Sequence, residues 1–347
     1  CDQTRKTEIT DGKAPHSYLV YSRPIKWREE DHKPVDIAFY VNKMPSETET
    51  IQSSKKPLFV LFPTTVETHM GFLMNGPFRT PAHRESVSLK YEFNQFLIQE
   101  IGDLLCQSML DIKGKGLLSV GFLNLLPIRM DDFPEDSMFY PIVREVRDAL
   151  MNEELLPADD GTFVSARSAK LARGAELRKL LSQDQLRALF QSNDRIKWLA
   201  EDIPQDRTSD LRLYLMEQLK IEEVRPEKFA ELLTDDFLEK QNEKWIINFY
   251  TFLGSDRSEL WKKPGAVLRK KKIMRLEDNS HVIPFKDDGT PNAYLPSSLM
   301  TNFPTIKRSI FADNTAADFL KSLGIIEPDL FAEIIEFILP KYAEDRL

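Results

Sequence analysis

Residues 58–105 read LFVLFPTTVETHMGFLMNGPFRTPAHRESVSLKYEFNQFLIQEIGDLL, and the two ends of this stretch carry different periods. LFVLFP is wholly apolar, is bounded by Pro57 and Pro63, and is too short for a helix, so it is expected to be a buried strand. Towards the other end Phe93, Phe96, Leu97, Ile101, Leu104 and Leu105 recur at helical spacing, which predicts a helix from Glu92 to Leu105 with one face laid on a sheet. Between them, an irregular stretch places Glu67, Asn75, Arg79, His83, Arg84 and Glu85 around Gly71 and Gly76. Loops that follow buried strands commonly mount binding groups on a rigid scaffold, although composition alone makes this an ordinary loop.

Working towards the N-terminus, YLVYSR (Tyr18 to Arg23) and VDIAFYV (Val35 to Val41) are β-rich, and the polar stretch between them suits a hairpin connection. A Ser-, Glu- and Lys-rich loop from Lys43 to Lys56 leads into the apolar strand. Towards the C-terminus, GLLSVGFLNLLP is read as a further short strand, and a second helix is expected from Phe139 to Met151. LLPADDGTFVSA carries the Asp-Gly signal of a tight turn. Strands alternating with helices make residues 1–160 an α/β domain.

Residues 161–255 are rich in Leu, Ala, Glu, Lys, Arg and Gln at helical period, notably Leu171 to Phe190, Leu211 to Ile221, Pro226 to Leu233 and Asp236 to Phe252, which predicts a mainly helical region. Residues 256–347 return to mixed β/α sequence. There, Asn-Ser and Asp-Gly turns divide KKIMRLEDNSHVIPFKDDGTPNAYLP, and PDLFAEIIEFILPKY forms a closing helix stopped at Pro340. LLPADDGTFVSA and RLEDNSHVIPF look like two uses of one strand-turn-strand device.

A formal charge of −8, from 55 acidic and 47 basic residues, gives no general pull towards nucleic acid or an anionic membrane surface. The two cysteines, Cys1 and Cys106, supply neither a disulfide framework nor a cysteine metal site, and Cys106 lies in an apolar helical run that reads as core. This suits a reducing compartment. With no apolar run of about 20 residues and a polar start, the chain is expected to be soluble, not secreted, and cytoplasmic. It opens on Cys1 instead of Met, which hints at a piece of a longer protein.

Stand-alone catalytic sets are missing: there is no P-loop, Gly-x-Ser-x-Gly elbow, His-Glu-x-x-His or calcium loop. His16, His32, His69, His83 and His281 have no ligand spacing, so no metal site is expected. The basic run Arg269 to Lys272 with Arg275 is followed at once by Glu277 and Asp278 and lacks interleaved aromatics, so it is read as a solvated strand edge.

The phrase VET, followed by a hydrophobic patch, an Asn-Gly turn, Phe and a step into the Arg84-Glu85 pair, resembles the sacsin repeats and the plant NO VEIN proteins. The resemblance continues through GTFVSARSAKLARGAELRKLL, WLAEDI, LRLYLMEQLKIEEVRPEKFAELL, WIINFYTFL, RLEDNSHVIPF and FLKSLGIIEPDLFAEIIEFILPKY, from about Leu58 onward. In that family a Bergerat-fold (GHKL) ATP-binding domain, similar to that of the large heat-shock chaperone, precedes a segment like this one. The resemblance therefore implies that residues 1–160 are similar to the chaperone's middle domain, and that the chain couples an upstream ATPase to chaperone-like conformational work. ATP and magnesium are expected in the upstream domain, with no cofactor held by this piece.

In the chaperone, the segment after the ATP domain reaches the γ-phosphate with an arginine in a Ser-Arg-Glu step, and His83-Arg84-Glu85 looks like its counterpart. Arg84 is thus the implied catalytic residue, with Arg84, Arg79 and Asn75 as nucleotide-contacting candidates and a salt bridge from Arg84 to Glu67 as the plainer alternative. The chain departs from the family pattern at Thr68-His69-Met70, where a glycine is expected after VET, and at Arg79, where an apolar residue is expected. The implied partners are the upstream ATP-binding domain in cis and client proteins, with a homo-oligomer left open. Two other readings stand beside this one: a non-catalytic interaction scaffold, and a DNA-engaging transducer using Lys262 to Arg275.

Overall fold

The computed structural model describes residues 3–10, 15–43, 49–81, 86–297 and 301–339. It is a mixed α/β structure that divides into two compact units, Cys1–Leu171 with Lys197–Glu222, and Ala172–Ile196 with Glu223–Leu347. The helical stretch 161–255 thus contributes to both units, because the chain leaves the first after Leu171 and returns to it at Lys197.

In the first unit, alternation is strict along the central strand of the sheet. Val35, Ile37, Phe39 and Val41 are buried while Asp36, Ala38 and Tyr40 between them are only half-buried, the period-two pattern of a strand with one face on a core. The strands are β1 (Gln3–Thr10), β2 (Pro15–Trp27), β3 (Glu30–Lys43), β4 (Glu49–Gln52), β5 (Pro57–Val60), β6 (Phe62–Glu67) and β7 (Leu73–Asn75). They lie in the order β1-β2-β3-β7-β5-β6, with β4 also paired to β3. Only β5 and β7 run parallel among the pairs resolved in this sheet.

The two expected N-terminal strands extend well into the polar stretch between them. The turn is confined to Arg28 and Glu29, both at positive φ, and the register shifts between Arg23 and Ile25, where Pro24 has no amide to donate. LFVLFP is not one buried strand. Leu61 takes φ +64 and turns the chain from β5 back into β6, leaving Leu61 61% and Phe62 70% exposed.

Helix α1 (Glu92–Gly114) is longer than its expected span and buries Phe93, Leu97, Ile101, Leu104 and Leu105. It packs on β2 and β3. Tyr21 on the same sheet face donates from its hydroxyl to Asp111 Oδ2 at 2.7 Å, and Arg23 meets Glu100 at 3.2 Å. GLLSVGFLNLLP is helical where a strand was expected: Ser119 caps α2 (Val120–Leu123) by accepting from Phe122 N. Helix α3 (Tyr140–Asn152) then packs on α1 through Ile142, Val143, Val146 and Leu150. The Asp-Gly hairpin forms between β8 (Leu156–Pro157) and β9 (Phe163–Val164), with Gly161 at φ +76.

Gly71, just before β7, lies against the backbone that follows α2. Its amide donates to Leu125 O at 2.9 Å, its carbonyl accepts from Ser54 N at 2.8 Å, and a Cβ placed there would lie 2.8 Å from Leu125 Cα. Backbone cannot yield as a flexible side chain can, so Gly71→Ala is expected to destabilise the first unit by about 1–3 kcal/mol, read as a lower urea midpoint at unchanged slope.

Cys106 lies half-buried on α1, and burial, reinforced by the nearby carboxylates of Glu145, Asp103 and Asp148, pushes its thiol up to about 12. The thiolate is the reacting form. At pH 8 about one Cys106 in ten thousand is ionised, so alkylation followed by mass spectrometry is expected to label it roughly a thousandfold more slowly than an unperturbed thiol, until the protein is unfolded.

The second unit is mainly helical, with short strands. Helices α4 (Ala175–Leu180) and α5 (Gln183–Leu189) precede helices Pro226–Leu232, Asp235–Glu239 and Glu243–Gly254. The expected single helix from Asp236 to Phe252 is broken because Asn242 caps a new one by accepting from Trp245 N. Trp245, Phe249, Tyr250, Phe252 and Leu253 form the buried face of that last helix. Their polar atoms are matched: Trp245 Nε1 donates to Leu180 O at 2.8 Å, and Tyr250 OH to Ile273 O at 2.7 Å. The second strand-turn-strand device forms as Met274–Arg275 against His281–Val282, with Asn279 at φ +68. Two helices not expected from the sequence, Arg308–Phe311 and Asn314–Leu323, follow before the C-terminal Leu330–Ile338 helical segment. Pro340, the expected stop, lies outside the described residues.

Candidate functional site

Of the three residues of the first unit expected to contact nucleotide, Asn75 and Arg79 are described and make separate contacts, and Arg84 lies outside the described residues. Asn75, at the end of β7, pairs across the sheet with Asp36 of β3, which pairs with Ser22 of β2. Ser22 Oγ donates to Asp36 Oδ1 at 2.5 Å, and Asn75 Nδ2 donates to Asp36 Oδ2 at 2.9 Å. The Asn75 carbonyl oxygen accepts from Leu61 N at 3.2 Å and so holds the positive-φ turn between β5 and β6. By strand alternation, this polar row lies on the sheet face opposite the one that meets α1.

Arg79 lies at α1. Its side chain is exposed, with the guanidinium carbon 5.3 Å from the centroid of the Phe93 ring, and it forms no ion pair among the described residues. The stacking is worth about 0.5–1 kcal/mol at an exposed site.

The residue that organises this stretch is Asn94, which sequence reading missed. It lies in the first turns of α1 and is fully buried. Its side-chain oxygen accepts from Arg79 N at 2.8 Å, and its Nδ2 donates to Arg79 O at 2.9 Å and to Ser88 O at 2.8 Å. One amide therefore fastens the backbone on both sides of the stretch carrying His83, Arg84 and Glu85. Gln95 adds a bond from Nε2 to Leu89 O at 2.7 Å. Arg84, His83 and Glu85 themselves lie outside the described residues. The signal available in the sequence was an asparagine on the core stripe of an amphipathic helix, since a buried amide there must find partners.

Where the family pattern expects a glycine after VET, His69 takes φ +55. That is the left-handed backbone that glycine adopts without strain. Glu67, the alternative partner for Arg84, has no ion pair among the described residues, and Pro57 is its neighbour across β5 and β6.

In the second unit the basic run is not a strand edge. Arg269 and Lys270 lie in a 3-10 turn, Val267–Lys270, and most of the cations are bound internally. Arg269 Nε donates to Trp261 O at 2.8 Å, Lys271 Nζ to Leu233 O at 2.6 Å, and Arg275 to Gln241 O at 2.5 Å, while Lys272 pairs with Asp235 at 2.8 Å. Cations committed this way have little left for a phosphate backbone.

Among the described residues no group of three or more His, Cys, Asp or Glu could hold a metal, and no helix is long and apolar enough to cross a membrane. The fold and this clamp define a mixed α/β protein with a buried-amide anchor after its main sheet. Compared with family models, curated proteins and solved structures, the chain matches none.

Proposed function

We propose that this chain is the middle and C-terminal portion of a sacsin-like, cytoplasmic ATPase, coupling ATP binding and hydrolysis in an upstream domain to chaperone-like conformational work. In this reading the first unit corresponds to the chaperone's middle domain, ATP and magnesium sit in the upstream domain, and Arg84 supplies the phosphate-facing guanidinium. The observation that supports it is the Asn94 clamp. Both flanks of the Arg84 stretch are tied to the start of a helix that is itself packed on the sheet. An arginine offered from a second domain needs such an anchored base, because it aids phosphoryl transfer only when presented in a fixed geometry. The test is ATP turnover by the chain joined to its upstream segment, with Arg84 intact and as Arg84→Ala, both checked for folding. Equal turnover removes Arg84 from the mechanism.

A second reading, an interaction scaffold, has its own observation. On the C-terminal helical segment, Phe331 is 75% exposed, and Ile334, Ile335 and Ile338 continue its face at helical spacing. Under that reading Arg84→Ala changes neither turnover nor nucleotide-linked shape, while Ile335→Asp abolishes partner capture.

A further inference from the structure

A cleft of about 570 Å³ opens beside β6, separate from the Asn94 clamp and lined by groups that the proposed ATPase mechanism does not use. Lys55 and Lys56 enter it from the link between β4 and β5, Glu67 from the end of β6, His69 from the turn that follows, and Arg129 from beyond α2. The ammonium groups of Lys55 and Lys56 and the carboxylate of Glu67 have no partner among the described residues. Arg129 makes no hydrogen bond there. It is ion-paired through Nε with Asp132, which also lines the cleft, at 3.4 Å and with Asp210 at 3.5 Å, and these hold the guanidinium in place.

The turn adds an independent observation. His69 occupies positive φ at the rim of this cleft, with its ring edge-on to Phe133 at 6.3 Å, although glycine would meet that backbone without strain. The Thr64 and Thr68 hydroxyls on the cleft floor are committed to Leu58 O and Lys56 O. The cleft thus offers two lysines and one glutamate with no partner among the described residues, beside an Arg129 that is ion-paired to Asp132 and Asp210, around a volume within the range of small-molecule sites, about 300–1,000 Å³.

We propose that this cleft binds a small phosphomonoester that also carries hydroxyl groups. Lys55, Lys56 and Arg129 receive the phosphate, whose oxygens accept from ammonium and guanidinium donors. Glu67, an acceptor only, takes a hydrogen bond from a ligand hydroxyl and turns away a second anionic group. A bare inorganic anion satisfies the cations and leaves Glu67 unmatched. This inference does not depend on the ATPase reading.

Calorimetric titration of the full chain with ribose 5-phosphate and with inorganic phosphate tests it. Ribose 5-phosphate is expected to bind about tenfold more tightly than inorganic phosphate, one charge-assisted hydrogen bond being worth that factor. Lys55→Ala with Lys56→Ala, both exposed positions whose loss leaves the melting temperature unchanged, is expected to weaken ribose 5-phosphate by at least about tenfold. Glu67→Ala should bring the two probes to nearly equal affinity. Absence of ribose 5-phosphate binding up to about 10 mM, equal binding of both probes by the unaltered chain, or affinity unchanged in the lysine variant would each overturn the proposal.

Discussion

With the upstream segment present, Arg84→Ala is expected to lower ATP turnover by about a thousandfold, the smaller end of what an arginine supplied across a domain boundary contributes to phosphoryl transfer. The size of the effect comes from where the charge appears. A guanidinium meeting the transferring phosphoryl group stabilises charge that develops only in the transition state, so its loss should fall on kcat with the KM for ATP little changed. Arg79→Ala is the internal control. Its guanidinium already rests on Phe93, and removing it should cost less than about 1 kcal/mol of stability and less than about fivefold in turnover. If Arg79→Ala matched Arg84→Ala, the loss would belong to the packing of the stretch and not to a phosphate contact. A steady-state assay of both variants, each confirmed folded by circular dichroism, separates the two outcomes.

How far the fold could be read from the sequence depended on whether the deciding force was local. β2 and β3 were legible because both are β-rich, with buried and half-buried residues alternating along β3, and α1 because its apolar stripe has helical period. Leu58 to Pro63 was misread for the opposite reason. An apolar run reports affinity for a core but not the direction of the chain, and the turn at Leu61 is held by a side chain from another strand, Asn75. The same limit hid the partner of Asn75: the Asp36 that receives its amide is remote in sequence. For Gly116 to Pro127, apolar content outweighed a local cap signal at Ser119 that was there to be used. At the candidate site, the stretch expected to be irregular holds β6 and β7, with Glu67 and Asn75 at their ends. Its anchor was not legible, because Asn94 reads as one polar residue in a helix until both its partners, Arg79 and Ser88, are seen to converge on it.

Asn94→Ala is expected to cost about 2–4 kcal/mol, because it leaves one backbone N–H and two carbonyls without the partner that a fully buried amide now gives them. The lower end applies if water reaches Arg79 and Ser88, neither of which is fully buried. Asn94→Asp is the sharper test, since it keeps the acceptor facing Arg79 N and replaces the donor with an oxygen aimed at two carbonyl oxygens. Ionised, the introduced carboxyl is buried and repelled, which raises its folded pKa above its unfolded value of about 3.9. A raised pKa means that the folded state binds more protons than the unfolded state between those two values, so stability falls as pH rises through that window. Asn94→Asp should therefore be less stable than Asn94→Ala at pH 7 and recover towards it near pH 4, measured by urea unfolding at both pH values. In the ATPase proposed above, at temperatures well below either melting transition, Asn94→Ala should also lower kcat with KM for ATP unchanged, because the flanks of the Arg84 stretch are no longer fixed. Unaltered kcat with the full loss of stability would make Asn94 a fold residue alone and would leave the proposed function without its supporting observation.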